Sequence, residues 1–296
     1  MNRSDLHVHS AYSNDGELGM EELVRKCLTN KVNILSITDH NTARGVSEAL
    51  NLFRNSGISF IPGIEIDCHY KGTDMHLLAY HIDWESREII ELEAQTEQIV
   101  MEAVPLMIRN LAKAGIDIDG DELMEKSRGK LPAPELFAEV LMGNPGYHNN
   151  PLLLPYLPGG ERSDMPYINF YLDYFAQGKP AYVKLELMDF RAALELVKRN
   201  AGIPIISHPG LNFKGKEKLV KELLELGAEG LEVFNNYHDK GQMEYFATLS
   251  QSRGTLMTAG SDFHGKTKPL IDLGAYPVIE TYREALNQSI QTIRKR

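Results

Sequence analysis

The sequence predicts an α/β fold: one barrel carrying an inserted helical subdomain. Short apolar runs alternate with helical patterns at both ends of the chain, as βα units around a mostly parallel sheet do. That rhythm lapses between Asp83 and Gly178, where the pattern is helical and then loop-rich. The length, 296 residues, suits one barrel of roughly 200–250 residues plus that insertion.

The elements follow in order. Asp5 to His9 reads as a strand before a helix over Met20 to Thr29, and Ile34 to Thr38 as a strand before a helix over Ala43 to Asn55. Ser59 to Ile66 and Met75 to Tyr80 are the next strands. A long periodic stretch from Ile89 to Ala114 predicts a helix with a kink at Pro105, and Gly143 to Gly160 predicts a loop. Strands then return at Tyr182 to Leu185, Pro204 to Ser207, Leu231 to Phe234 and Thr255 to Ala259. Between them lie helices over Phe190 to Asn200, Lys216 to Leu226 and about Gln242 to Ser252. Residues 1–84 and 179–280 form the expected barrel, 85–178 an inserted substrate or lid subdomain, and 281–296 a solvated helical tail.

Composition narrows the partners. Lys and Arg number 31 against 41 Asp and Glu, a formal charge of −10, which argues against duplex DNA and anionic membranes. Two cysteines, Cys27 and Cys68, are too few for a disulfide framework and read as buried, reduced side chains. No early apolar run resembles a signal peptide or membrane span, so the cytoplasm is the expected location. No pattern fixes an oligomeric state.

The chemistry gathers at the strand ends, where barrels place their sites. His7 and His9, two residues apart on an extended segment, share a face and aim two imidazoles at one point. Asp39-His40 ends the second strand and Glu65 the third; His76 lies in the next. Ser207-His208-Pro209 closes a later strand, Ser261-Asp262-Phe263-His264 follows the last, and Asp15 sits in the loop Ser13-Asn14-Asp15-Gly16. Imidazoles mixed with carboxylates suit manganese, zinc or iron(II) rather than calcium or magnesium. His69, His81, His148 and His238 lack such partners and read as ordinary histidines.

In this order, Asp5-Leu6-His7-Val8-His9-Ser10, Ile37-Thr38-Asp39-His40, Ile61-Pro62-Gly63-Ile64-Glu65, His76-Leu77-Leu78-Ala79-Tyr80, Ile206-Ser207-His208-Pro209-Gly210 and Gly260-Ser261-Asp262-Phe263-His264 resemble the polymerase and histidinol phosphatase (PHP) superfamily. The resemblance implies a distorted (β/α)7 barrel and metal-dependent hydrolysis of a phosphate monoester or diester. It also implies three divalent ions: one at His7, His9, Glu65 and Asp262, a second at Glu65, His76 and His208, and a third at Asp15, His40 and His264. Glu65, Asp262 and His208 are the expected catalytic residues.

Within the superfamily, the insertion and Gly178-Lys179-Pro180-Ala181-Tyr182-Val183 resemble enzymes that dephosphorylate 3′,5′-bisphosphonucleotides or trim short RNA. The implied partner is a small phosphorylated substrate, a nucleotide or short oligonucleotide included. Those relatives carry an Arg and a His where this chain has Pro134-Glu135-Leu136, and often an Arg where it has Leu211. Losing an Arg forfeits a bidentate phosphate clamp. Lys179 is the expected replacement cation, with Arg128, Lys130 and Arg162 as further candidates.

Rivals and decoys are few. An amidohydrolase cleaving C–N bonds also starts from His-x-His, and a non-catalytic metal module would need no open coordination position. Glu65 with the trio Asp15, His40 and His264 favours the phosphoesterase. Gly210 to Lys216 approaches a P-loop, but Glu217 stands where magnesium needs Ser or Thr. Asp117, Asp119 and Asp121 imitate an EF-hand opening, yet Glu122 replaces the required Gly, so a capped helix is expected there.

Overall fold

The computed structural model describes residues 3–296, so the first two residues of the expected barrel segment lie outside it. Seven strands form one sheet in sequence order: β1 (Arg3–Val8), β2 (Val32–Ile37), β3 (Ser59–Tyr70), β4 (Thr73–Tyr80), β5 (Ile203–Ile206), β6 (Gly230–Phe234) and β7 (Leu256–Ala259). β1, β2, β5, β6 and β7 are short and almost wholly buried, as strands covered on both faces are. The sheet curls until the segment after β7 meets β1. There His9 N donates to Phe263 O and Asp262 N donates to His7 O, each at 2.9 Å. No regular ladder joins β7 to β1 among the described residues, so the barrel is distorted and its hydrogen-bonded ring stays open at that seam.

β4 departs from the parallel pattern, running antiparallel to both β3 and β5. The cause is local. Lys71 (φ 47°) and Gly72 (φ 75°) form a two-residue connection, and positive φ at both central positions is the hairpin geometry that matches strand twist. His76, early in β4, therefore reaches the same rim as the C-terminal ends of the parallel strands.

The eighth expected strand does not form. Tyr182 to Leu185 is irregular; the nearest sheet-like link lies beyond it, a bridge from Asp189 to His69, and Val183, Leu185 and Leu187 line the central cavity instead.

Helices α1 (Met20–Asn30) and α2 (Val46–Phe53) pack on the sheet, α1 through Met20, Leu23 and Cys27. The insertion begins with α3 (Arg87–Lys113), which runs unbroken through Pro105, and continues with α4 (Gly120–Ser127), α5 (Pro134–Gly143) and the short α6 (Pro166–Phe170). It buries a core of its own, including Met107, Leu111, Leu123, Phe137, Leu141 and Phe170. As expected, Asp119 caps α4, accepting from Asp121 N and Glu122 N. The barrel is completed by α7 (Phe190–Arg199), α8 (Pro209–Asn212), α9 (Lys218–Leu226) and α10 (Lys240–Arg253).

The expected solvated tail is instead a docked helix, α11 (Arg283–Arg294), whose Leu286, Ile290 and Ile293 join the main core. An apolar stripe at i, i+4 and i+7 makes that burial favourable, while Glu284, Asn287, Gln288, Thr292 and the basic end stay in solvent. Among the described residues, no helix is long and apolar enough to cross a membrane.

Candidate metal centre

β1 carries the first ligands by simple alternation: His7 and His9 point to one side, both fully buried. β1 can approach β7 because Gly260 has no side chain; a Cβ there would lie 2.2 Å from His7 Cβ. Two carboxylates fix the flanking loops. Asp39 accepts from Ser10 N and Ser10 Oγ, each at 2.6 Å. Asp5 accepts from Ser261 N at 2.9 Å and from Ser261 Oγ and Gly274 N at 2.6 Å.

Four ligand atoms converge at the centre. His7 Nε2 and His9 Nε2 are 3.2 Å apart. Glu65 Oε2 lies 3.0 and 3.2 Å from them, and Asp262 Oδ1 lies 3.2 Å from both. Around a tetrahedral ion with ligands at about 2.0–2.1 Å, ligand atoms stand about 3.3 Å apart. These residues fit such an ion, and without a cation two imidazole nitrogens and two carboxylate oxygens would crowd one point.

A second group forms on the other oxygen of Glu65. Oε1 lies 3.1 Å from His76 Nδ1 and 3.3 Å from His208 Nε2, and accepts from Ser207 Oγ at 2.7 Å. The third group holds Asp15 Oδ2, 3.0 Å from His264 Nε2 and 3.7 Å from His40 Nε2; His9 stands within reach of it. His264 Nε2 is buried without a hydrogen bond of sound geometry, as an atom reserved for a cation would be. The nine expected metal-ligating residues are thus brought together in three overlapping groups, and a fourth group joins His40 and His76 to Asp67.

The outer ring nitrogens show which atoms are free to bind. His7 Nδ1 faces Glu232 Oε1 at 3.0 Å, His40 Nδ1 faces Asp67 Oδ1 at 2.8 Å, and His208 Nδ1 faces Asn212 Oδ1 at 2.7 Å. His264 Nδ1 faces the carbonyl of Asp262 at 2.9 Å. Each such acceptor holds the proton on Nδ1 and leaves the Nε2 lone pair pointing inward. His208 (φ 20°) and Asp262 (φ 58°) occupy sparsely populated backbone regions, a strain that the surrounding structure has to hold in place.

The charges are balanced across the cluster. Burial opposes charge on His7, but Glu65, Glu232 and Asp262 outweigh it and hold its pKa well above the ordinary value. Burial likewise opposes charge on Glu65, yet His7, His40 and His76 hold it well below the carboxylate range. His264 is pushed down to about 4 by burial, His9 and Lys268.

Glu232, Asp67, Lys268 and Tyr237 were not anticipated from the sequence. Lys268 Nζ pairs with Asp262 Oδ2 at 2.6 Å, and Tyr237 OH donates to the same oxygen at 2.7 Å. For Glu232 a signal existed: a lone carboxylate inside the apolar run Gly230 to Phe234 must have a buried partner. Glu232 also accepts from His208 N at 2.8 Å, so it orients ligands of two groups. Glu232→Gln is expected to weaken divalent-metal affinity 10- to 100-fold, measured by chelator competition; unchanged affinity would show that His7 orients itself.

The expected substrate cation Lys179 is exposed and does not line the cavity. Arg162 pairs with Asp173. Lys130 Nζ donates to Ser13 O at 3.1 Å and to Gly16 O at 3.4 Å, bracing the loop that bears Asp15. His238 is structural, between Val233 O and Gly210 N.

A model of the PHP domain matches residues 5–293. The chain is 29% identical over 290 residues to the 5′-3′ exoribonuclease of Haemophilus influenzae, spanning 94% of this chain and 98% of that one. It is 25% identical over 273 residues to the 3′,5′-nucleoside bisphosphate phosphatase of Chromobacterium violaceum, with 91% and 90% covered. A solved structure from Chromobacterium violaceum, described as an amidohydrolase with bound sulfate and no metal, matches with a TM-score of 0.79 over 98% of this chain and 96% of that one. Sequence identity there is 23%, so the likeness is one of fold.

Proposed function

The chain belongs to the PHP domain family and is a metal-dependent phosphoesterase, and from that premise we propose that it hydrolyses a small phosphorylated substrate at a three-metal centre bridged by Glu65. The observation that carries this reading is the placement of Glu65: one oxygen faces His7 and His9 while the other faces His76 and His208. Asp15, His40 and His264 complete the third position. Divalent manganese, zinc or iron would supply a water ionised near neutral pH and positive charge for the phosphoryl oxygens. Three such ions exceed the charge of Asp15, Glu65, Asp67 and Asp262, so the centre attracts a phosphate dianion.

The chain's own residues do the rest. Glu232, Asp67 and Asn212 hold the imidazoles in the ligand tautomer. Tyr237 and Lys268 both bind Asp262 Oδ2, leaving Oδ1 to face the centre and fixing the carboxylate's orientation. The inserted helices line one side of the cavity through Val100, Met107 and Ile168. Ser207, Ser10 and Ser13 spend their hydroxyls on the carboxylates of Glu65, Asp39 and Asp15 and so brace the ligands.

Release of phosphate or of mononucleotides from short 5′-phosphorylated RNA, nucleotides, histidinol phosphate and sugar phosphates, by manganese-reloaded protein, tests the proposal. Release from at least one class is expected. Full metal loading without release from any phosphoester would overturn it in favour of C–N hydrolysis or a scaffold role.

A further inference from the structure

Resting on the phosphoesterase reading, we infer that the substrate presents a single phosphoryl group to the metal centre and that the remainder is uncharged or cationic and largely apolar. The cavity over the centre measures about 530 Å³, within the roughly 300–1,000 Å³ of small-molecule sites. Away from the ligands its walls are largely apolar, with Val100 and Met107 on α3, Leu131, Ile168, Leu172 and Phe175.

A second phosphate would find no counter-charge there. Among the described residues, Lys268 is the only Lys or Arg lining the cavity, and it is already paired with Asp262 at 2.6 Å. Apart from Lys268 and the imidazole of His69, the side chains outside the metal groups that can bear charge are carboxyls: Asp74, which accepts from Tyr182 OH at 2.8 Å, and Glu135, which has no side-chain hydrogen-bond partner among the described residues. The N-terminus of α5 opens on the cavity, and a helix start can bind an anion. Here Pro134 lacks an N–H and Leu136 N is spent on Ala133 O at 2.8 Å, while Glu135 brings a carboxyl, not a cation, to that end. A phosphate dianion binds through charge-assisted donors; among the described residues this wall offers carboxyls and no unpaired Lys or Arg.

Calorimetric binding and turnover are measured with the full-length, manganese-loaded protein on 1-naphthyl phosphate, adenosine 5′-monophosphate and adenosine 3′,5′-bisphosphate. Both single-phosphate esters are expected to bind about 100-fold more tightly than the bisphosphate, the scale of an unrelieved like-charge contact. Glu135→Arg, with Glu135→Gln as the milder variant, is expected to move the bisphosphate-to-monophosphate ratio about tenfold or more toward the bisphosphate. Parent protein that prefers the bisphosphate, or a ratio that neither variant moves, overturns the inference, as does failure of all three to bind. The expected binding order without turnover of any phosphoester would sink the phosphoesterase reading and leave this charge selection standing.

Discussion

Glu65→Gln is expected to cut phosphoester turnover by at least about 1,000-fold, the upper end of what loss of one preorganised electrostatic group costs. The reason is that both oxygens are used. Oε2 sits 3.0 Å from His7 Nε2 and Oε1 sits 3.1 Å from His76 Nδ1, so a glutamine must place an amide nitrogen against one ligand group. It also removes the negative charge that the two groups share. Glutamine has the same shape and leaves the β3 backbone ladder, where Glu65 faces Leu78, untouched, so far-UV circular dichroism should match the parent. Turnover within about tenfold of the parent would remove Glu65 from its bridging role.

Lys268→Met is expected to destabilise the metal-free protein by about 3–5 kcal/mol, the cost of stranding one member of a buried ion pair. Lys268 and Asp262 side chains are only 9% and 4% exposed. In the parent, burial disfavours charge on both, and their mutual attraction overrides it: Asp262 is held well below the carboxylate range and Lys268 above its ordinary value. Tyr237 and the imidazoles remain after the substitution, which points to the lower end of that range. Reloading with manganese should recover part of the loss, because a cation then faces Asp262 again. Urea denaturation reads both quantities. A loss below about 1 kcal/mol, the scale of an exposed pair, would mean that Asp262 does not depend on this lysine.

How much of this was legible in the sequence depended on periodicity. Runs such as Ile34-Leu35-Ser36-Ile37 read as covered strands and most metal-ligand candidates stood at or near strand ends, so an α/β barrel with its site at one rim followed from position, whereas Asp15, in a loop, and the division into three groups rested on the resemblance to the PHP superfamily. Asp67 shares a strand face with Glu65 two residues earlier, a cue as clear as His7 and His9, but one easily read as an ordinary polar position. Lys268 carries no such mark, because only the tertiary path of the chain after His264 returns it to Asp262. The strand expected at Tyr182 to Leu185 failed for a related reason: its β-branched and aromatic residues are used to wall a cavity, a demand that local propensity does not encode. The antiparallel β4 was signalled by Lys71-Gly72 between two apolar runs, and the alternation of strands and helices around it masked the hairpin. The tail had an apolar stripe that its basic last residues obscured.

The central claim is that Glu65 joins the metal groups into one centre. The most direct test is X-ray diffraction from crystals of the manganese-loaded protein, with anomalous differences collected at the metal edge. The geometry predicts three peaks per chain, two of them sharing Glu65, one bounded by His7, His9 and Asp262 and the other by His76 and His208. A single peak, or peaks that leave Glu65 unligated, would contradict it.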